Sequence, residues 1–366
     1  MGDAHALENI HRPYSSEYLS GPFPVHPEVP VKALIDEAER YVRDILSLAL
    51  EHSPQRAAVV VHDARSELAL LLTEAYRRSL PDARLLDFDS LPPESVLAAL
   101  SPLAAGDLVV LVQSGNFRLE AFRLRVELFK RGLKVIEHPH LERMRGREAA
   151  WYVDALAYDP AYYRGVGRAL KDRIDRAQGG VVDSGGERLV FASPFESAKL
   201  NVGDYRGMKN VGGQFPIGEV FTEARDLEAV NGRVRIRIFA DTDYQANRPE
   251  RPITLVIAKG RVTDAVDATP DFEKVLAAIR ADEGEVWVRE LGFGMNRAFT
   301  ADRMVRDIGT LERMCGIHLS LGAKHAIYKK PDFSRRDGKQ HVDVFTVTQA
   351  VILDGAEVFR DGAWIV

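Results

Sequence analysis

The sequence predicts an α/β protein with two parts: an N-terminal Rossmann-like domain built on a parallel sheet, and a β-rich α+β domain. Its 366 residues exceed what one hydrophobic core usually serves, which favours two domains. Strand-like and helical segments alternate in the first half, whereas short apolar segments separated by hairpin turns fill the second. The pattern changes at Gly179 and Gly180, so we place the domains at residues 1–178 and 179–366.

The first domain opens with a proline-rich stretch, up to about residue 30, that predicts an irregular arm. Apolar residues then recur at helical spacing, and short β-branched runs alternate with further helical segments. The predicted order is helix 31–50, strand 56–61, helix 66–78, strand 83–88, helix 93–100, strand 107–112, helix 117–131 and strand 133–136. Such alternation is typical of βαβ units with helices on both faces of a parallel sheet. No glycine-rich fingerprint follows the first strand, so the pattern does not predict a nucleotide site.

The second domain is mostly β by the same reasoning. Its segments either alternate between apolar and polar residues or are continuously apolar. Asn-Gly, Lys-Gly and Asp-Gly pairs separate them, as in hairpins. The strand-like segments are 181–192, 234–239, 253–257, 285–288, 344–353 and 363–366. Helical patterns are expected near 272–279 and 301–309.

Composition narrows the classes of function. Lys and Arg number 49 against 54 Asp and Glu, a formal charge of −5, which provides no broad basic field for nucleic acid. The single cysteine, Cys315, excludes an internal disulfide framework and fits a reducing compartment. The N-terminus lacks an apolar signal core, and the apolar runs are too short to span a bilayer. We therefore expect a cytoplasmic protein with neither nucleic-acid nor membrane partners.

Carboxylates and imidazoles concentrate in the second domain, which predicts a metal site. The candidates are Glu219, Glu290, His318, His325, His341 and Asp343. Carboxylates bind divalent cations end-on or as bridges, and neutral imidazoles add affinity for first-row metals. In a strand, residues two apart share a face, so His341 and Asp343 can meet one cation together.

Each candidate also has a plainer explanation. His341 and Asp343 could form a solvated pair at a sheet edge. Alternatively, Asp343 could orient the His341 ring by a hydrogen bond without binding a metal itself. His318 lies in an apolar segment, where a lone histidine is more often a hydrogen-bonded core residue. Glu219 follows Pro216 and Gly218, which predict an exposed turn and a solvated acid. Glu290 has apolar neighbours, where an ionised carboxylate costs several kcal/mol unless it is paired or binds metal.

Four segments of this half resemble the signature blocks of the aminopeptidase T and aminopeptidase S family of thermophilic, leucyl aminopeptidase-like metalloaminopeptidases. The blocks run over 212–222, 290–296, 316–322 and 341–343, in the family's order, within a resemblance that covers roughly residues 155–366. The resemblance implies an N-terminal α/β domain, a β-rich catalytic domain and a homodimer. It also implies a pair of divalent cations, typically Zn²⁺ or Co²⁺, bound by Glu219, Glu290, His318, His341 and Asp343.

The chain departs from the family pattern at three positions. His325 stands where the family usually has tyrosine, and Tyr328 is nearby but out of register. The acidic step before the third-block histidine is reduced to Glu312, which becomes a candidate ligand or proton carrier. Ala224 stands where a proline is common. If His325 serves the site, it acts as a neutral ligand or a cationic donor; the alternative is that it points into solvent.

Two enzyme hypotheses follow. The first is a metallo-exopeptidase acting on short peptides, in which Glu290 or Glu312 shuttles the proton of a metal-activated water. The second is a ring-cleaving dioxygenase of the 2,5-dihydroxypyridine type, with one Fe²⁺ held by His318, His341 and Asp343. Retention of Glu219 and Glu290 argues against the second, because a mononuclear site has no need of extra acids. A binding protein with an inactive site is a third possibility.

Overall fold

The computed structural model describes residues 30–117, 124–323, 327–328 and 339–366. The predicted N-terminal arm, the first part of the predicted helix 117–131 and His325 lie outside these residues. The helices are α1 (Val31–Asp44), α2 (Glu67–Ser79), α3 (Pro93–Leu100), α4 (Leu124–Lys130), α5 (Arg147–Ala155), α6 (Pro160–Arg176), α7 (Pro270–Glu283) and α8 (Ile308–Leu311). The strands are β1 (Ala58–His62), β2 (Arg84–Asp87), β3 (Leu108–Val112), β4 (Lys134–His138), β5 (Gly180–Ser184), β6 (Glu187–Phe191), β7 (Lys199–Asn201), β8 (Val211–Gln214), β9 (Glu219–Glu223), β10 (Val230–Ala240), β11 (Ala246–Asn247), β12 (Ile253–Ala258), β13 (Arg261–Val266), β14 (Val288–Gly294), β15 (Gly316–Gly322), β16 (His341–Thr346), β17 (Ala350–Leu353), β18 (Ala356–Arg360) and β19 (Ala363–Trp364).

A parallel sheet is built mainly from the first half of the sequence, in the strand order β2-β1-β3-β4-β8. β3 is buried throughout, as expected of a strand covered on both faces. One face packs against α1, α2 and α5, and the other against α3 and α4. The fifth strand, β8, comes from beyond residue 178, so the sheet draws on both halves of the sequence. The division at residue 178 stays a prediction.

Local sequence explains why the helices form where they do. α1 buries Leu34, Ile35, Ala38 and Val42, which recur at helical spacing on one side. It continues into a π-helical turn over Ile45–Ala49. α2 begins after Ser66, whose side chain accepts a hydrogen bond from the backbone of the first turn.

An antiparallel sheet dominates the second half and confirms the predicted α/β architecture. Its strands follow the order β19-β18-β17-β5-β6-β10-β16-β15-β14-β9-β7, with β11, β12 and β13 attached through β10. β14 and β15 are buried along their whole length. The most enclosed part of this sheet is therefore the part that carries the predicted ligands. No helix among the described residues is both long and apolar enough to cross a membrane.

Three expectations from the sequence are wrong. The predicted helix over 301–309 is mostly turns, and α8 starts only after Asp307, whose carboxylate caps it. The polar side chains of this segment instead contact α5, where Arg303 pairs with Asp154. The strand predicted at 285–288 starts at Val288 and runs on through the Glu290 block, because both its neighbours pair with it. The exposed turn expected at residues 216–218 is buried.

Candidate metal centre

Four neighbouring strands, β9, β14, β15 and β16, bring most of the predicted ligands together. Glu219 begins β9 opposite Gly294 of β14. His318 of β15 lies between Gly292 of β14 and Phe345 of β16. Because directly opposed residues project from the same face, the register places ligands from separate strands on one side of the sheet.

The centre of the site is formed by Glu219, Glu290 and His318, which are 4%, 6% and 0% exposed. His318 Nε2 lies 3.3 Å from Glu219 Oε1 and 3.5 Å from Glu290 Oε1. One potential ligand atom from each residue lies within 4.8 Å of the others. Among the described residues, neither ring nitrogen of His318 has a partner that meets hydrogen-bond geometry. The three groups are thus close together without satisfying one another.

Gly292 makes the room that the His318 ring occupies. A Cβ atom at Gly292 would lie 2.0 Å from both Cε1 and Nε2 of the imidazole. No side chain other than hydrogen fits there while His318 keeps its position. The glycine of the Glu290 block therefore allows the imidazole to lie across β14 toward the two glutamates.

A second set of polar groups adjoins the first on β16. His341 Nε2 lies 3.5 Å from Asp343 Oδ1, as the spacing of two residues predicts. Ser320 Oγ donates a hydrogen bond of 2.6 Å to the same Asp343 oxygen, and His341 Nδ1 lies 3.2 Å from the carbonyl of Ala323. The side chain of His341 is 32% exposed, whereas that of Asp343 is 4% exposed. His341 therefore marks the side from which solvent reaches the site.

Glu312 and Arg313 enter the site from the end of α8. The buried Arg313 donates through Nη1 to the carbonyl of Gly309, at 2.5 Å, and to Glu312 Oε2. Its Nη2 lies 3.7 Å from Glu219 Oε2. One guanidinium thus contacts two of the site's carboxylates.

The acids of the site differ in the direction in which their pKa values are shifted. Burial raises the pKa of Glu219 and of Asp343, but neighbouring cationic groups outweigh it: Arg313 and His318 for Glu219, and His341 and His318 for Asp343. Both pKa values lie below their ordinary range. Glu312 behaves oppositely, because burial and the charges of Asp343 and Glu219 raise its pKa well above the ordinary value despite the adjacent Arg313.

The histidines respond to the surrounding carboxylates. Burial alone lowers the pKa of His318, but Glu219 and Glu290 raise it well above 6.5. Asp343 and Glu290 likewise raise the pKa of His341 against the effect of burial. Both imidazoles lie in an environment that stabilises positive charge.

The arrangement fits a divalent cation. If Glu219 and Glu290 are both ionised at the 4.8 Å limit, they repel by at least about 3.5 kcal/mol at an effective dielectric of 20. His318 offers a buried ring nitrogen without a hydrogen-bond partner among the described residues. Carboxylates with imidazoles form the donor set preferred by Zn²⁺ and related first-row metals.

The structure thus brings Glu219, Glu290 and His318 into one cluster and places three of the other candidates beside it, whereas His325 lies outside the described residues. Those neighbours are His341, Asp343 and Glu312. The sequence interpretation missed Arg313, Ser320 and Gly292. Ser320 could have been found from its position two residues after His318 on the same strand. Nothing local to Gly292 or Arg313 indicates which ligand each contacts.

The fold and side chains together define an α/β protein with a parallel sheet, a large antiparallel sheet and a candidate metal centre on the latter. No protein-family model matches the sequence, and no curated protein matches it. Solved structures do share the fold. The 2,5-dihydroxypyridine dioxygenase of Pseudomonas putida KT2440 is 15% identical with a TM-score of 0.62, over 92% of this chain and 98% of that one. Wild-type AmpT, the aminopeptidase T of Thermus thermophilus, is 16% identical with a TM-score of 0.56, over 90% of this chain and 99% of that one.

These likenesses extend over nearly the whole of each chain, so the architecture is that of aminopeptidase T and also of the dioxygenase. At such low identity the comparison concerns the fold alone. The chemistry of this chain depends on its own side chains.

Proposed function

We propose that this chain is a metal-dependent aminopeptidase that removes N-terminal residues from short peptides. A pair of divalent cations, Zn²⁺ or Co²⁺, would be held by the carboxylates and imidazoles of the site: Glu219, Glu290, His318, His341 and Asp343. The observation that carries the proposal is the buried contact of His318 with two glutamates, 3.3 and 3.5 Å from its Nε2 atom. With Asp343, three acids surround His318, more carboxylates than a single cation of the two-histidine, one-carboxylate type requires.

Bound cations would supply Lewis acidity, which lowers the pKa of a coordinated water and polarises a carbonyl. The protein's own contribution begins with Glu312. Its Oε2 accepts a hydrogen bond from Arg313, and the same carboxyl would take or give a proton. Because burial and the neighbouring acids raise the pKa of Glu312 well above its ordinary value, this carboxyl keeps its proton to a higher pH than an ordinary glutamic acid does.

Arg313 has a different role in this proposal. Its Nη2 lies 3.7 Å from Glu219 and offsets part of the negative charge of that carboxylate, so the net negative charge of the site is reduced. The exposed side of His341 would face the entering peptide, since the other ligands are almost completely enclosed. Peptide substrates, cytoplasmic location and a homodimer belong to the same proposal, and analytical ultracentrifugation tests the last.

The second candidate is the mononuclear dioxygenase. It is favoured by the two imidazoles and one carboxylate of His318, His341 and Asp343, the set that non-haem Fe²⁺ oxygenases use. This alternative leaves Glu219 and Glu290 without a role, although both are buried against His318.

The experiment begins with metal analysis of protein purified without added metal, followed by assays on aminoacyl arylamides before and after dialysis against a chelator. We expect up to two cations per chain, loss of activity on chelation and recovery with Zn²⁺, Co²⁺ or Mn²⁺. Full activity in verified metal-free protein would contradict the proposal. Ring cleavage of 2,5-dihydroxypyridine with oxygen uptake, restored only by Fe²⁺, would establish the second candidate instead.

Glu219→Gln separates the two candidates further. In the peptidase it should lower metal content from two cations toward one, because a ligand of one site is lost, whereas a mononuclear enzyme should keep one. The matched control is Glu228→Gln, which removes the same charge from a half-exposed residue paired with Arg261. The control should keep wild-type stoichiometry and activity.

A further inference from the structure

Asp307 is a buried acid outside the ligand set, and its two oxygens serve different parts of the molecule. Oδ2 accepts hydrogen bonds from the backbone and the hydroxyl of Thr310, at 3.0 and 2.9 Å, and so caps α8. Oδ1 lies 2.9 Å from His140 Nδ1 and 3.1 Å from Arg143 Nη1. Asp307 therefore ties α8 to residues that follow β4 of the parallel sheet.

The partners of Asp307 are themselves fixed. Arg143 Nη1 also donates to the carbonyl of Tyr244, at 3.1 Å. His140 Nε2 lies 2.6 Å from Asn116 Nδ2, which donates when Nδ1 of the ring carries the proton toward Asp307. His140 and Arg143, which follow a strand of the parallel sheet, are therefore held in place as hydrogen-bond donors to Asp307 at the start of α8.

α8 leads directly into the metal centre. Glu312 and Arg313 follow its last residue, and Arg313 bonds back to Gly309 within the helix. A second contact from the parallel sheet, Gln214 Nε2 to the carbonyl of Gly309 at 3.3 Å, meets the helix on the same turn. A helix of four residues has little stability of its own, so its position depends on these outside contacts.

We infer that His140 and Arg143 are positioning residues for the metal centre, acting through Asp307 on α8 and thereby on Glu312 and Arg313. The inference rests on the proposed function for its catalytic consequence. A shift of α8 moves the Arg313 guanidinium away from Glu219 and moves Glu312 relative to Asp343. Both the affinity for cations and the chemical step then change, while the peptide-facing side at His341 keeps its structure.

The His140 backbone allows a sharp test. Its φ of 57° lies in the left-handed region, so His140→Gly removes the imidazole without adding backbone strain. Asparagine also tolerates this conformation, and its Nδ2 takes nearly the place of the histidine Nδ1. His140→Asn therefore restores the donor to Asp307 while both variants lose the contact with Asn116.

The control is Arg303→Ala, which breaks a different ion pair between the second half and α5. Arg303 contacts Asp154 and the carbonyl of Ala298 but not α8. It should leave the centre unchanged.

Three quantities are measured: hydrogen exchange of amides 308–313 in metal-free protein, Zn²⁺ affinity by competition with a chromophoric chelator, and kcat and KM separately. We expect His140→Gly to speed exchange over 308–313, weaken Zn²⁺ binding about tenfold, as outer partners of ligands do, and lower kcat with little change in KM. His140→Asn should return all three toward wild type.

The outcomes are distinct. Equal behaviour of the glycine and asparagine variants, or faster exchange without any change in affinity and kcat, would overturn the inference. If the wild type neither binds Zn²⁺ nor hydrolyses peptides, the proposed function fails separately. The exchange data then decide only the structural link from His140 to α8: recovery by asparagine supports this link, and the absence of recovery removes it.

Discussion

Replacing Gly292 with alanine tests whether His318 occupies the position that the site requires. The added Cβ would meet the imidazole at 2.0 Å, whereas ordinary contact begins near 3.4 Å, so the ring must move by about 1.4 Å. If it moves directly away from the glutamates, its Nε2 passes from 3.3 Å to roughly 4.7 Å from Glu219 Oε1. Ligand positions in metal sites tolerate only about 0.2 Å, so this displacement removes His318 as a ligand.

The expected result for Gly292→Ala is a loss of cation affinity of at least about 100-fold, close to that of His318→Ala. Overpacking should also cost about 1–3 kcal/mol of unfolding free energy, since His318 is fully buried. Isothermal titration with Zn²⁺ and urea denaturation measure the two effects. Gly165→Ala is the control, because a Cβ there meets nothing within 4 Å on the exposed side of α6. Wild-type Zn²⁺ affinity in a folded Gly292→Ala protein would refute the assignment of His318.

Asp343→Ala should abolish activity, because Asp343 is a proposed metal ligand. The far-ultraviolet circular dichroism spectrum should stay that of the wild type, because the residue contributes more to the site than to the hydrophobic core. Retained activity would remove Asp343 from the ligand set. His138 is buried, with its ring nitrogens 2.7 and 2.8 Å from the hydroxyls of Tyr76 and Tyr152, and burial lowers its pKa to about 3. The folded-state pKa lies below the unfolded value of 6.5, so the stability from neutral His138 is present above pH 6.5 and is lost as the pH falls toward 3. Between pH 7 and 5 the wild type should therefore lose about 2 kcal/mol more unfolding free energy than His138→Gln, and parallel losses in urea titrations would contradict this. The role of His325, which lies outside the described residues, is tested by the pH profile of kcat/KM in His325→Ala and His325→Tyr. If the alanine variant keeps the wild-type rate and profile, His325 takes no part in the reaction. If tyrosine preserves the activity that alanine destroys, the residue belongs to the site.

The sequence by itself determined much of the secondary structure and several residues of the candidate site. The strands at 58–62 and 108–112 and the helices at 67–79 and 93–100 follow from periodicity, which depends only on neighbours along the chain. The pairing of His341 with Asp343 follows from the two-residue repeat of a strand in the same way. Apolar surroundings also indicated correctly that Glu290 and His318 are buried.

Only the tertiary structure decided which distant segments meet. Glu219, expected in an exposed turn, became buried because β9 pairs with both β14 and β7. The segment before α8 did not continue as a helix, because Asp307 is held by His140, 167 residues earlier, and caps the helix at that point. The parallel sheet takes β8 from the second half, and the His318 ring lies where a side chain at Gly292 would otherwise be. Contacts of this kind depend on strand register and packing between residues far apart in the chain, which no local periodicity encodes.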